Sequence, residues 1–294
     1  MKNIFLFLTP TLIWGSTWYV ITFQIGDVDP MYSVAYRFAL AGILMLVISR
    51  IWGLKLDFTR KEHGFILLQG LLLFGFNYWC MYSAELYITS GLVGLLFSLL
   101  VFMNIINARV FLKATIEAKV IIGGFLGLIG TGLIFQQDLA QFSFSDKKIW
   151  GLLLAIAGTI IASFGNITSA RNQKAGIPVI SSNAFGMTYG ALAMFLIALI
   201  SGKEITFETN ISYVSSLIYL AIFGSVIAFG AYLTLIGNIG AGKAAYVAVV
   251  APVIALIIST IFEDYQWTSG SLSGACLILV GNVVALRSRK AGSS

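Results

Sequence analysis

Ten apolar runs alternate with short polar segments along the chain. They lie near residues 4–25, 30–49, 64–86, 90–111, 119–136, 149–170, 179–201, 213–236, 243–262 and 270–286. Each has about the length an α-helix needs to cross roughly 30 Å of hydrocarbon. Polar residues gather at 26–30, 55–62, 136–148, 203–210 and 263–266. The runs are too long and too continuous for strands, and open sheet edges cannot sit in lipid. The first run is longer than a leader's apolar core and has no Ala-x-Ala after it, so it is expected to be an uncleaved first helix.

Composition agrees. Of 294 residues, 59% are hydrophobic and only 10% charged, with mean hydropathy +0.93. A soluble domain carries about a quarter charged residues. Ten spans use about 200 residues and leave no room for a separate soluble domain. Cys80 and Cys276 both fall in apolar runs and read as packing residues.

The charges sort by side. Lys2, Arg50, Lys55, Arg60, Lys61, Arg109, Lys113, Lys119, Arg171, Lys174, Lys243, Arg287, Arg289 and Lys290 share one side, 14 in all. Lys147, Lys148 and Lys203 are on the other, and Arg37 lies inside a span. An excess of basic residues marks the cytoplasmic face, so both termini are expected there. Asp27, Asp29, Asp138, Asp146, Glu204, Glu208, Glu263 and Asp264 fall outside, with Glu85 near that face.

The chain also repeats. With residues 88–135 laid on 239–286, a shift of 151, Gly91 meets Gly242 and Phe111 meets Phe262. Gly123 meets Gly274, Leu126 meets Leu277 and Gly130 meets Gly281. A repeat holding five spans must be inverted, because five is odd. Lys113, on the cytoplasmic side, accordingly falls opposite Asp264 on the external one. Inverted repeats are a common construction for secondary transporters, with the solute site near the midplane between halves. The expected fold is an all-α integral membrane protein, with ten transmembrane helices in two inverted five-helix repeats over 1–145 and 146–294.

Specific motifs support this. Leu12-Ile13-Trp14-Gly15-Ser16-Thr17-Trp18-Tyr19 opens the chain, and Pro30 is followed by Tyr36-Arg37-Phe38. Near the other end, Ile239-Gly240-Ala241-Gly242-Lys243-Ala244-Ala245 leads to Ala251-Pro252-Val253. Phe262-Glu263 and the segment from Gly274 to Gly281 follow. In order and spacing, these resemble the EamA-type members of the drug/metabolite transporter superfamily. The resemblance implies a carrier of amino acids, drugs or other small metabolites, often outward. The first half departs from it in two places: Val101 stands where Pro252 stands in the second half, and Leu112-Lys113 stands in place of an acidic residue after that span.

Few residues are equipped for chemistry. Arg37 is costly in hydrocarbon unless paired or hydrated. It reads either as a fork for a substrate carboxylate or as a structural contact. Trp14 and Trp18, and likewise Tyr78 and Tyr82, are spaced i, i+4 on one helix face. With Tyr232 and Tyr246 they are candidates for a cavity wall that stacks on flat or cationic solutes. Thr17, Asn77, Ser98 and Asn166 complete the candidate substrate set. Pro252 is the gating candidate and Glu85 the candidate for proton coupling, with facilitated diffusion as the alternative. Trp52, Trp150 and Trp267 sit at span ends as belt residues.

No Ser/His pair, paired Asp or metal-ligand cluster lies at depth, because His63, the single histidine, falls in a predicted loop. An intramembrane enzyme is therefore not expected, nor any cofactor or metal. A channel would need a filter or charged ring, and a receptor would not need the repeat. The sequence reading is an alternating-access carrier in the inner membrane, moving amino acids or related amphipathic or aromatic metabolites, with export favoured by the resemblance. Uptake of a nucleoside-type metabolite, or multidrug export, is the alternative. The expected partners are the small solute and the lipid bilayer, not nucleic acid, with the chain a monomer or weak homodimer.

Overall fold

The computed structural model describes residues 1–141, 146–262 and 267–286. Helices α1 (Lys2–Thr22) and α2 (Pro30–Ile51) come first, then α3 (Arg60–Glu85), α4 (Ser90–Leu112) and α5 (Ala118–Ile134). A short α6 (Gln136–Gln141) precedes α7 (Asp146–Lys174). Then follow α8 (Val179–Ile200), α9 (Ile211–Ile239), α10 (Ala241–Ile258) and α11 (Ser269–Leu286). Among the described residues, nine helices are long and apolar enough to cross a membrane, and α5 is a tenth, shorter one. This is an all-α, multi-pass membrane protein.

Local sequence sets the helix ends. Asp29 accepts from the Met31 N–H at 2.9 Å, with Pro30 at the first helical position of α2. Thr59 and Glu62 form a reciprocal capping box at the start of α3. Asn210 accepts from the Tyr213 N–H at 2.7 Å and opens α9. Gly240, at φ 87°, makes the bend between α9 and α10 without Cβ strain.

The polar segment 136–148 is more helical than the sequence suggests. Its first part forms α6, and Lys147 and Lys148 lie in the first turn of α7. His63 is likewise helical, near the start of α3, and its ring nitrogen lies 2.9 Å from the Tyr189 hydroxyl. Glu263, Asp264, Arg287, Arg289 and Lys290 lie outside the described residues.

Small residues let helices close on one another, which drives association where lipid removes the hydrophobic term. On α5 and α11, a Cβ on Gly130 would come 2.5 Å from the Gly274 carbonyl oxygen. One on Gly281 would come 2.6 Å from that of Gly123. On α2 and α8, a Cβ on Gly42 would meet the Thr188 hydroxyl at 2.6 Å.

Two helices share an irregularity. In α3, residues Leu71–Phe76 form a π-helical segment, and in α9, Ile222–Ile227 do the same. The segments are six residues each and lie 222 − 71 = 151 positions apart. A π turn widens the helix, shifts its side chains and often marks a functional site.

Both ends of the bundle are pinned. Lys203 meets Asp29 at 3.1 Å and links the α8–α9 connection to the start of α2. At the opposite end, Lys243 meets Glu117 at 3.0 Å, and Asn238 donates to Asn3 at 2.9 Å beside the N-terminus.

A candidate solute cavity between the halves

A cavity opens where α1, α3, α4, α7, α9 and α10 meet. Trp14, Thr17 and Trp18 line it from α1, and Asn77, Tyr78 and Met81 from α3. Phe97 and Leu100 come from α4, Ala162 and Asn166 from α7, Phe229 and Tyr232 from α9, and Ala248 and Ala251 from α10. The wall thus draws on residues either side of position 145. Its free interior is about 40 Å³ of water-sized space. That holds only a few waters, so a metabolite enters only when helices move.

The aromatic wall is fixed by edge-to-face contacts. Trp14 lies 5.0 Å from Phe229 and 4.9 Å from Tyr232, centroid to centroid. Trp18 lies 5.7 Å from Phe97. The Trp14 indole nitrogen donates to the Gly224 carbonyl oxygen at 3.1 Å. That carbonyl belongs to the π segment of α9.

Arg37 is not among the lining residues. It is fully buried. Its Nε donates to the Ser225 hydroxyl at 3.0 Å and its Nη1 to the Tyr82 hydroxyl at 3.1 Å. The guanidinium lies 4.5 Å from the Tyr78 ring centroid. Ser225 in turn donates to the Leu220 carbonyl at 2.9 Å, five residues back along the π turn, which leaves its oxygen free to accept. Arg37 braces α2 to α3 and α9 behind the wall.

Seven of the sequence-predicted substrate residues therefore meet at the cavity: Trp14, Thr17, Trp18, Asn77, Tyr78, Asn166 and Tyr232. Arg37 and Tyr82 lie behind it. Ser98 donates to Leu95 at 2.6 Å, where α4 breaks. Tyr246 donates to the Val120 carbonyl at 2.6 Å and joins α10 to α5. Pro252 lines a separate recess of about 260 Å³ with Gly15, Trp18, Thr89, Gly94 and Phe135. Trp18 is common to this recess and the cavity. Both carboxylate oxygens of Glu85 are buried without a partner at the end of α3.

At the N-terminal end of the bundle, a recess of about 250 Å³ is lined by Ile105, Glu117, Ala241 and Lys243. A polar chain divides it from the cavity. Asn166 donates to the Tyr232 hydroxyl at 3.1 Å and approaches Asn104 Oδ1 at 3.5 Å. Asn104 donates to the Ala241 carbonyl at 3.1 Å. Sequence reasoning missed Phe229, Ser225 and Gly224. Phe229 is one of 22 phenylalanines and carries no polar group to single it out. The 151-residue offset that carries Leu71–Phe76 onto Ile222–Ile227 is the signal that points to the other two.

Comparisons place this arrangement. The chain is 28% identical to a protein of Escherichia coli (strain K12) called uncharacterized inner membrane transporter YedA, covering 85% of this chain and 79% of that one. It is 27% identical to uncharacterized transporter YyaM of Bacillus subtilis (strain 168), covering 96% and 93%. A solved crystal structure has the same fold, with TM-score 0.79 at 18% identity over 96% of each chain. The EamA-like transporter family matches residues 1–136 and 149–287, nearly the whole chain in two consecutive copies, and the protein belongs to that family of membrane transporters.

Proposed function

We propose that this transporter is an alternating-access carrier of small amphipathic or aromatic metabolites, amino acids among them, and that it exports them across the inner membrane with both termini cytoplasmic. The observation that carries the proposal is the cavity, in which six aromatic side chains and two buried asparagines from both halves surround one small space. Aromatic faces hold flat or cationic organic groups, and a few placed polar groups orient them. The paired π segments support an inverted repeat with its solute site between the halves. Recesses beyond Trp18 and beyond the Asn166–Asn104 chain suit two alternately opened paths.

Counterflow tests the proposal. Proteoliposomes preloaded with pooled unlabelled amino acids are given one labelled amino acid at a time. Saturable exchange supports the carrier reading, and labelled aromatic amino acids are expected to exchange fastest. If folded, inserted protein exchanges none of them, this substrate class is wrong. Net efflux against net uptake under an imposed solute gradient decides direction.

A further inference from the structure

Two buried acceptors in the cavity wall lack a partner. Among the described buried polar atoms that lack a partner, the amide oxygens of Asn77 and Asn166 are the ones carried by cavity-lining residues. Asn77 is 3% exposed and Asn166 1%. Their orientations follow from their neighbours. Asn77 directs its nitrogen to the Leu73 carbonyl at 3.4 Å, and a carbonyl cannot pair with an amide oxygen. The Ala241 carbonyl holds the Asn104 nitrogen, so Asn104 turns its oxygen to the Asn166 nitrogen. Each of Asn77 and Asn166 therefore directs its amide nitrogen to protein and leaves its oxygen unpaired.

Several donors nearby are held by protein acceptors. The Trp14 indole N–H is taken by Gly224, and the Thr17 hydroxyl donates to the Trp14 carbonyl at 3.1 Å. Arg37 directs Nε and Nη1 to Ser225 and Tyr82, while its Nη2, beside Gly224, is buried without a partner behind the wall. The ring faces add negative π density to the same wall.

An unpaired buried acceptor is costly, so such groups are satisfied by a ligand or water in a working site. We propose that Asn77 Oδ1 and Asn166 Oδ1 form the subsite for the amino end of the solute, and that the site selects a primary amine attached to an apolar or aromatic body. A primary ammonium offers three donors and no acceptor, which complements two amide oxygens and a cation–π wall. A carboxylate offers only acceptors and would leave both amide oxygens unpaired. The proposal rests on the aromatic-metabolite reading above and deepens it. Of the two readings of Arg37, it favours the structural contact over the carboxylate fork, since Nε and Nη1 are held by Ser225 and Tyr82 and the residue does not line the cavity.

Three compounds with one benzyl body separate the possibilities. Purified protein in detergent is titrated with 2-phenylethylamine, L-phenylalanine and 3-phenylpropionate, and binding is followed by tryptophan fluorescence, since Trp14 and Trp18 line the cavity. The two amines are expected to bind at least about tenfold more tightly than the acid. Asn77→Leu is expected to weaken both amines about tenfold while leaving the acid unchanged, and Asn77→Asp to tighten 2-phenylethylamine. The Asp variant keeps the test alive if the Leu variant misfolds. Equal binding of acid and amines, or unaltered amine binding in folded Asn77→Leu and Asn77→Asp, overturns the amine subsite and leaves the carrier reading standing. If none of the three binds folded wild-type protein, the aromatic-metabolite reading falls with it.

Discussion

The indole nitrogen of Trp14 donates to the carbonyl oxygen of Gly224 at 3.1 Å. That bond ties the cavity wall of the first half to the π segment of the second. Gly224 is also where the wall meets Arg37, since a Cβ there would come 3.0 Å from Nη2. Trp14→Phe keeps the ring but strands the Gly224 carbonyl. The expected cost is about 1–3 kcal/mol of stability, with weaker solute binding. A thermal melt in detergent with and without solute reads both. An unchanged melt would show that the bond contributes nothing.

Arg37 is expected to act as a brace. Its two bonds need donors held in a fixed fork, which lysine lacks. Arg37→Lys and Arg37→Ala should therefore both abolish counterflow. A buried hydrogen bond to a charged group typically contributes about 1.5–3 kcal/mol. The loss should be equal for 2-phenylethylamine and L-phenylalanine, in counterflow run side by side. A loss confined to the carboxylate-bearing solute would restore the carboxylate clamp.

The α5–α11 seam should tolerate no bulk. A Cβ on Gly130 meets the Gly274 carbonyl at 2.5 Å and the Ile278 side chain at 2.9 Å. Gly130→Leu must push the helices apart, and overpacking of this kind costs about 1–3 kcal/mol or more. The expected result is a lowered melting temperature and reduced yield of folded protein, read by fluorescence size-exclusion chromatography. Gly132, whose Cβ would meet nothing within 4 Å, is the matched control and should accept alanine without loss.

The Asn166–Asn104 chain is the candidate inner latch. Tyr232→Phe removes the hydroxyl that accepts from Asn166. Hydrogen bonds between helices in membranes contribute about 1 kcal/mol. That is enough to shift the balance between closed and open states roughly fivefold. The variant should show faster labelling of a cysteine placed at Ile105, in the recess beyond the latch, by a membrane-impermeant maleimide. Unchanged labelling would exclude the latch.

Glu85 bears on energetics. Its carboxylate is buried without a partner at the end of α3. If a proton gradient drives transport through it, Glu85→Gln should retain counterflow but lose accumulation driven by an imposed pH gradient. Equal accumulation in the variant and wild type would assign the driving force to the solute gradient and membrane potential.

Much of this architecture follows from the chain read alone. Ten apolar runs had to be helices, because hydrocarbon satisfies no backbone group. Asp29-Pro30, Thr59 to Glu62 and Asn210 set helix starts through bonds made within one turn, so their consequences are local and readable. The i, i+4 pair Trp14 and Trp18 pointed to the cavity because helical geometry alone puts them on one face. What the sequence could not supply was depth of burial and partnership across the bundle. Arg37 was legible as an intramembrane charge, but whether its fork faces solute or protein depends on Ser225 and Tyr82, 188 and 45 residues away. Tyr82 and Tyr246 had the right residue type, yet Arg37 and the Val120 carbonyl claim them. The unpaired oxygens of Asn77 and Asn166 are visible only once every neighbouring donor has been assigned. Local periodicity determined the helices and the likeness of the two halves. Which polar atoms are left over for a solute was decided by packing, because a hydrogen bond between distant helices leaves no period in the chain.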